Sequence, residues 1–204
     1  MGYTTEYKVV GLDLAGKENN FSGICILDGN SAKVNLLKSD KDIVEFIIKS
    51  NPDAIGIDAP LSLGDRICDR LMKKYGAMPT KLKGIFELAK RAINLTKCLK
   101  NNSNATIIEV FPTATAKILG FYKKNIDEKI SSSMETLKII MASKINKDEF
   151  DAFLCALTTN LYLTGFTQSI GDDNGSIVIP DVQKVDEILK EIRKAEIRIT
   201  KYNE

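Results

Sequence analysis

The chain has no histidine, and its four cysteines are scattered over 204 residues. Without an imidazole there is no histidine general base, no histidine zinc ligand and no Ser-His-Asp arrangement. Cys25, Cys68, Cys98 and Cys155 form no close pair. They read as reduced, mostly buried thiols of a cytosolic protein, not as a zinc site or a disulfide frame. No run approaches the roughly 18 apolar residues of a membrane span, and no basic-then-apolar leader opens the sequence. The expectation is a soluble, cytoplasmic protein without membrane contact. Charge of one sign is also scarce: the net charge is +2, which by itself demands no nucleic-acid partner.

What is present is ordinary globular composition, 44% apolar and 27% charged, in a chain long enough for one sizeable core. The basic residues are unevenly spread. Residues 71–100 carry eight Lys or Arg against one acid, Glu87. Residues 7–14, 21–27, 32–37, 54–58 and 106–111 read as strands. Helices are expected over 41–49 (capped by Asp40), 65–75, 84–99, a short stretch from Thr113 to Gly120, 131–143, 147–164 and about 183–198. A strand returning through a helix implies parallel pairing and a right-handed crossover. With no repeat or linker, residues 1–204 read as a single α/β domain. A C-terminal β-hairpin and helix extend it over about 165–204.

Two apolar strands end on aspartate: Val9-Val10-Gly11-Leu12-Asp13 and Ala54-Ile55-Gly56-Ile57-Asp58. Buried strands do not ordinarily end so, because an unpaired buried charge is costly. Alternation puts Gly11 on the face of Asp13 and Gly56 on the face of Asp58, small neighbours that leave room for a metal and a phosphate. The helix segment Asp148-Glu149-Phe150-Asp151 adds two acids three apart. At about 100° per residue, Asp151 borders the apolar stripe and Asp148 lies further out. Glu109, closing the fifth strand's apolar run, is a further candidate at the same rim. Carboxylates converging from separate elements are how proteins hold hard divalent cations. Each acid alone reads more simply as a turn or cap residue; together they specify a site.

These residues resemble a known family. Gly11-Leu12-Asp13, Ile57-Asp58-Ala59-Pro60-Leu61, Arg66-Ile67-Cys68-Asp69-Arg70, Glu109-Val110-Phe111-Pro112, Asp148-Glu149-Phe150-Asp151-Ala152 and Ile177-Val178-Ile179-Pro180 follow the order and spacing of domain-of-unknown-function family 429. That family comprises predicted nucleases of the ribonuclease H-like superfamily. The resemblance spans residues 7 to 180 and implies a three-layer fold: a five-stranded mixed sheet in order 3-2-1-4-5 with helices on both faces. By resemblance to the superfamily's Holliday-junction resolvases, Asp13 and Asp58 are the strand acids, and Asp148 and Asp151 the helix acids. The resolvases carry glutamate where this chain has Asp58.

The implied chemistry is phosphodiester hydrolysis in DNA or RNA with two Mg²⁺ or Mn²⁺ ions about 4 Å apart. Arg66 and Arg70, one turn apart, would face a phosphate, with Asp69 paired to one of them. The lysines of 73–100 would track a nucleic-acid backbone, or simply form a solvated helix face. Two alternatives stand beside the nuclease. One is a non-catalytic nucleic-acid or partner-binding module, for which the closing helix's stripe of Val185, Ile188, Leu189, Ile192 and Ile199 offers either core packing or a homodimer seam. The other is an ATP-binding phosphotransferase of the actin-like core, for which Gly11 to Gly16 would be the phosphate turn.

Overall fold

The first apolar run forms β1 (Lys8–Asp13), buried through its middle as a central strand must be. The computed structural model describes residues 7–202; residues 1–6 and 203–204, the two ends of the single domain read from the sequence, lie outside the described residues. β2 (Ser22–Asp28) returns antiparallel to β1, and β3 (Ser31–Leu37) antiparallel to β2. α1 (Asp40–Ser50) follows. Its cap is Ser39, not Asp40: the Ser39 hydroxyl accepts the Asp42 N–H at 3.0 Å. Asp40 is instead the first helical residue, where its charge suits the helix dipole.

β4 (Ala54–Ile57) lies parallel to β1. The helix expected over 65–75 is a short α2 (Ile67–Leu71) running into a tighter 3₁₀ turn, Met72–Tyr75, that stops at Gly76. α3 (Lys83–Asn102) leads to β5 (Thr106–Glu109), parallel to β4. α4 (Pro112–Ile118) is entered from Phe111, with Pro112 where a missing N–H costs nothing, so Thr113 is not its cap. α5 (Ile126–Leu137) starts earlier than 131 because the Asn125 side chain caps it, accepting from the Asp127 and Glu128 N–H groups. The tail of that expected helix is a strand, β6 (Ile140–Met141).

α6 (Lys147–Leu163) opens on a capping box between Asn146 and Glu149. β7 (Thr167–Asp172) and β8 (Gly175–Pro180) form a separate antiparallel hairpin. α7 (Val185–Ala195) ends at Glu196, whose φ of 49° is left-handed, and β9 (Arg198–Lys201) follows.

The central sheet is mixed and largely parallel, in order β5-β4-β1-β2-β3-β9-β6. It has seven strands among the described residues, not the expected five. The order 3-2-1-4-5 is a contiguous part of it, and the extra strands lie beyond β3. Ile199 fits the helical spacing of the closing stripe, yet it sits on β9, paired in parallel with Ala32. The unpaired edge of β3 is what recruits this segment: an edge N–H and C=O row is satisfied best by another strand. Helices cover both faces. α1 and α3 pack their apolar residues (Ile43, Ile47, Leu95, Leu99) on Val10, Leu12, Ile55 and Ile57. α6, flanked by α4, α5 and α7, packs on Val9, Cys25, Leu27 and Ala54. Ile188 and Ile192 of α7 are buried in this second core. No helix among the described residues is long and apolar enough to cross a membrane.

Candidate functional site

β1 and β4 pair in parallel with Gly11 opposite Gly56 and Leu12 opposite Ile57, and the Asp58 N–H donates to the Leu12 carbonyl at 2.9 Å. Asp13 and Asp58 are therefore the next row, side by side at the C-terminal edge of the sheet, where open α/β folds put their sites. Alternation turns both toward α6. The glycines beneath them do not leave empty space. A Cβ on Gly11 would stand 2.1 Å from the Ala152 carbonyl oxygen, and one on Gly56 would stand 2.0 Å from Thr159 Oγ1. A Cβ on Gly23 of β2 would collide with the Asp148 carbonyl at 1.9 Å. Gly11 and Gly23 thus admit the backbone of α6 itself, and Gly56 admits its Thr159 side chain. The room read from the sequence as metal and phosphate space is taken by the helix, which brings its own acids down onto the strand ends.

From α6, Asp151 is buried and both its oxygens meet ammonium groups: Lys129 of α5 at 2.5 Å from Oδ1, and Lys147 at 2.9 Å from Oδ2. Asp148, half-buried, lies 3.9 Å from Lys147. Asp13 and Asp58 have no hydrogen-bond or ion-pair partner for their carboxylates among the described residues. Burial pushes Asp13 up to about 7, helped by the charges of Asp151 and Asp148 and opposed by Lys147 and Lys129. Asp58 is held well above the ordinary carboxylate range, by burial first and then by the charges of Asp13 and Asp151. Asp13, Asp58 and Asp151 thus feel one another strongly. Burial pulls Lys147 down, but Asp151, Asp13 and Asp148 together hold it above its ordinary value. One turn along α6, the buried Cys155 thiol is pushed up by desolvation and then by the charges of Asp58, Asp13 and Asp151, so it stays protonated. Among the described residues, no three Cys, Asp or Glu side chains are drawn together tightly enough to enclose a metal ion.

Glu109 lies at the same rim but not on the same face. It pairs in register with Ile57, in the row before Asp58, so it points away from α6. There it meets Arg66 Nη2 at 2.5 Å and accepts the Leu61 N–H at 2.9 Å. Burial outweighs the attraction of Arg66 and pushes Glu109 up to about 7. Arg66 is 1% exposed. Its Nε lies 3.4 Å from Asp69 Oδ1, and its Nη2 donates to Cys68 Sγ at 2.9 Å. Arg70 points the other way, to Asp65 at 2.9 Å in solvent. The two arginines therefore do not share a phosphate-facing surface. Arg66 precedes the helix and is spent inside the fold, closing the β4–α2 connection onto β5.

A cavity of about 220 Å³ runs along the strand ends, touched by Asp13, Asp58, Glu109 and Asp69. A more polar one of about 530 Å³ lies on the other side of Asp13, with Lys38, Lys147, Asn19, Asn20 and Asp148 on its walls. Of the basic stretch, the lysines are exposed, but Arg91 is buried and ties Asp40 to the Ala15 and Lys38 carbonyls. Sequence reasoning missed three residues of the site. Lys147 had a signal, its position four before Asp151 on one helix face. Cys155 shared that face. Lys129 had none, since it arrives from another helix. No family model, curated protein or solved structure matches the chain.

Proposed function

We propose that the chain is a divalent-metal-dependent nuclease on a ribonuclease H-like core, cleaving phosphodiester bonds in nucleic acid. The observation that carries this reading is the pair Asp13 and Asp58: two carboxylates without a partner among the described residues, at the ends of adjacent parallel strands and facing a helix that presents Asp151. Such crowding is unfavourable unless a cation or protons relieve it. The donors are all hard oxygens, which suits Mg²⁺ or Mn²⁺, and the nearby Cys155 stays protonated and offers no thiolate. Asp13 and Asp58 would hold the ion, with Asp151 and Asp148 contributing from α6. When bound, the ion supplies an activated water and stabilises the leaving oxygen. Lys147, whose side chain is exposed, would release Asp151 and face a phosphate. Lys38 on the polar cavity wall, and Lys17 and Lys83 beside it, continue a cationic path for a nucleic-acid backbone. Arg70, Lys73 and Lys81 line a further groove of about 230 Å³.

The test is cleavage of end-labelled single- and double-stranded DNA and RNA with Mn²⁺ or Mg²⁺. Metal-dependent products are expected with at least one substrate, and none with Asp13→Asn. A second reading, a nucleic-acid or partner-binding module without catalysis, is favoured by one fact: both oxygens of Asp151 are already neutralised by lysines. It prevails if Mn²⁺ neither binds nor raises the melting temperature.

A further inference from the structure

Lys129 is an unusual neighbour for a metal-binding carboxylate. It is 6% exposed, its ammonium meets Asp151 Oδ1 at 2.5 Å, and it lies 5.3 Å from the centre of the Phe150 ring. Asp151 is the sole anionic partner of this ammonium among the described residues. A lysine so far out of water is fixed in place, because releasing it would strand two buried charges. Lys147 differs: its side chain is 65% exposed and can swing away.

The charges of the site point the same way. Asp13, Asp58, Asp148 and Asp151 bring four carboxylates, and Lys129 alone returns a positive charge that cannot leave. The remainder exceeds the charge of one divalent cation but falls short of that of two. With Oδ1 of Asp151 held by Lys129, only Oδ2 is open to a cation once Lys147 moves.

We propose that Lys129 stands in for one of the two cations expected from the sequence, so that the site binds a single divalent ion per chain. This rests on the nuclease reading above and replaces the two-ion arrangement expected from the sequence. Lys129 is then a positioning residue: it anchors Asp151 and screens the developing charge without exchanging with solvent.

The test is metal stoichiometry, read without any turnover. The full chain, stripped of metal, is titrated with MnCl₂ at pH 8 by calorimetry, and the same samples are examined by electron paramagnetic resonance. One Mn²⁺ per chain is expected, with an uncoupled six-line spectrum even at two equivalents. Lys129→Met, which keeps the packing on Phe150 and removes the charge, is expected to take two Mn²⁺ with a spin-coupled spectrum. Two coupled ions in the wild type, or a single ion in a folded Lys129→Met, overturns the proposal. No Mn²⁺ in the wild type overturns the nuclease reading along with it. Should Lys129→Met fail to fold, the wild-type stoichiometry decides alone.

Discussion

Asp58 shows how a residue can be costly to the fold and still belong to it. It lacks a partner among the described residues, and burial beside Asp13 and Asp151 disfavours its ionised form. Asp58→Asn removes the repulsion while keeping the shape. Cleavage and Mn²⁺ binding are expected to be lost, while the melting temperature in EDTA holds or rises by a few degrees, about 2–4 °C per kcal/mol relieved in a chain of this size. A marked fall in that melting temperature would mean the carboxylate supports the fold. Arg66 is the opposite case. It neutralises Glu109 and Asp69 inside the protein. Arg66→Met should cost about 3–5 kcal/mol, because two carboxylates are left buried without their cation. Adding Glu109→Gln should restore part of that loss, a coupling measurable in a double-mutant cycle by urea unfolding. If the two losses simply add, the ion pair is not what closes the β4–α2 connection.

At the scale of elements, the site is made by the approach of α6 to the sheet. Residues Glu149 to Leu161 are buried all round this helix, which is far more than an amphipathic stripe. Its close seating depends on Gly11 and Gly23 lying beneath its backbone and Gly56 beneath Thr159. Gly11→Ala forces a methyl against the Ala152 carbonyl, so α6 must lift. A loss of about 1–3 kcal/mol or more in urea unfolding is expected, together with weaker Mn²⁺ binding as Asp151 withdraws from Asp13. Gly16→Ala, where an added Cβ meets nothing within 4 Å, is the control and should stay within about 0.5 kcal/mol of wild type. Equal effects at the two positions would discount the seating. The glycines were legible in the sequence, but their purpose was not. Alternation gives the face a residue shares, while the object that fills the space above it comes from a segment more than a hundred positions away.

For the molecule as a whole, the crowded acids couple stability to pH. Burial pushes Asp13 up to about 7 in the folded chain from an ordinary value of 3.8, so the folded state holds this proton more tightly than the unfolded one. As pH rises from about 4 to 7, the unfolded chain gives up the proton first, and Asp13 destabilises the metal-free fold progressively; above about 7 the loss is complete. The melting temperature of the wild type in EDTA should therefore fall relative to that of Asp13→Asn across this window. On the proposed metal-dependent reading Mn²⁺ displaces the same proton, so its affinity should rise with pH through about 7, seen by calorimetry at pH 6 and pH 8. A flat difference between the two proteins would show that Asp13 ionises freely in the fold.

The alternation of strands and helices, the parallel pairing of β1 and β4, and the strand-end positions of Asp13 and Asp58 can be read from the residues in order. These follow from local periodicity and chain connectivity, which are written in neighbouring residues. It takes the folded molecule to place two more strands past β3, to set Glu109 and Arg66 against each other on the far side from the aspartates, and to bring Lys129 to Asp151. Each depends on which surfaces remain unpaired once the core has packed: an open strand edge, a buried carboxylate, a second helix arriving alongside. Burial and long-range charge are properties of the assembled chain, and no short window of residues carries them.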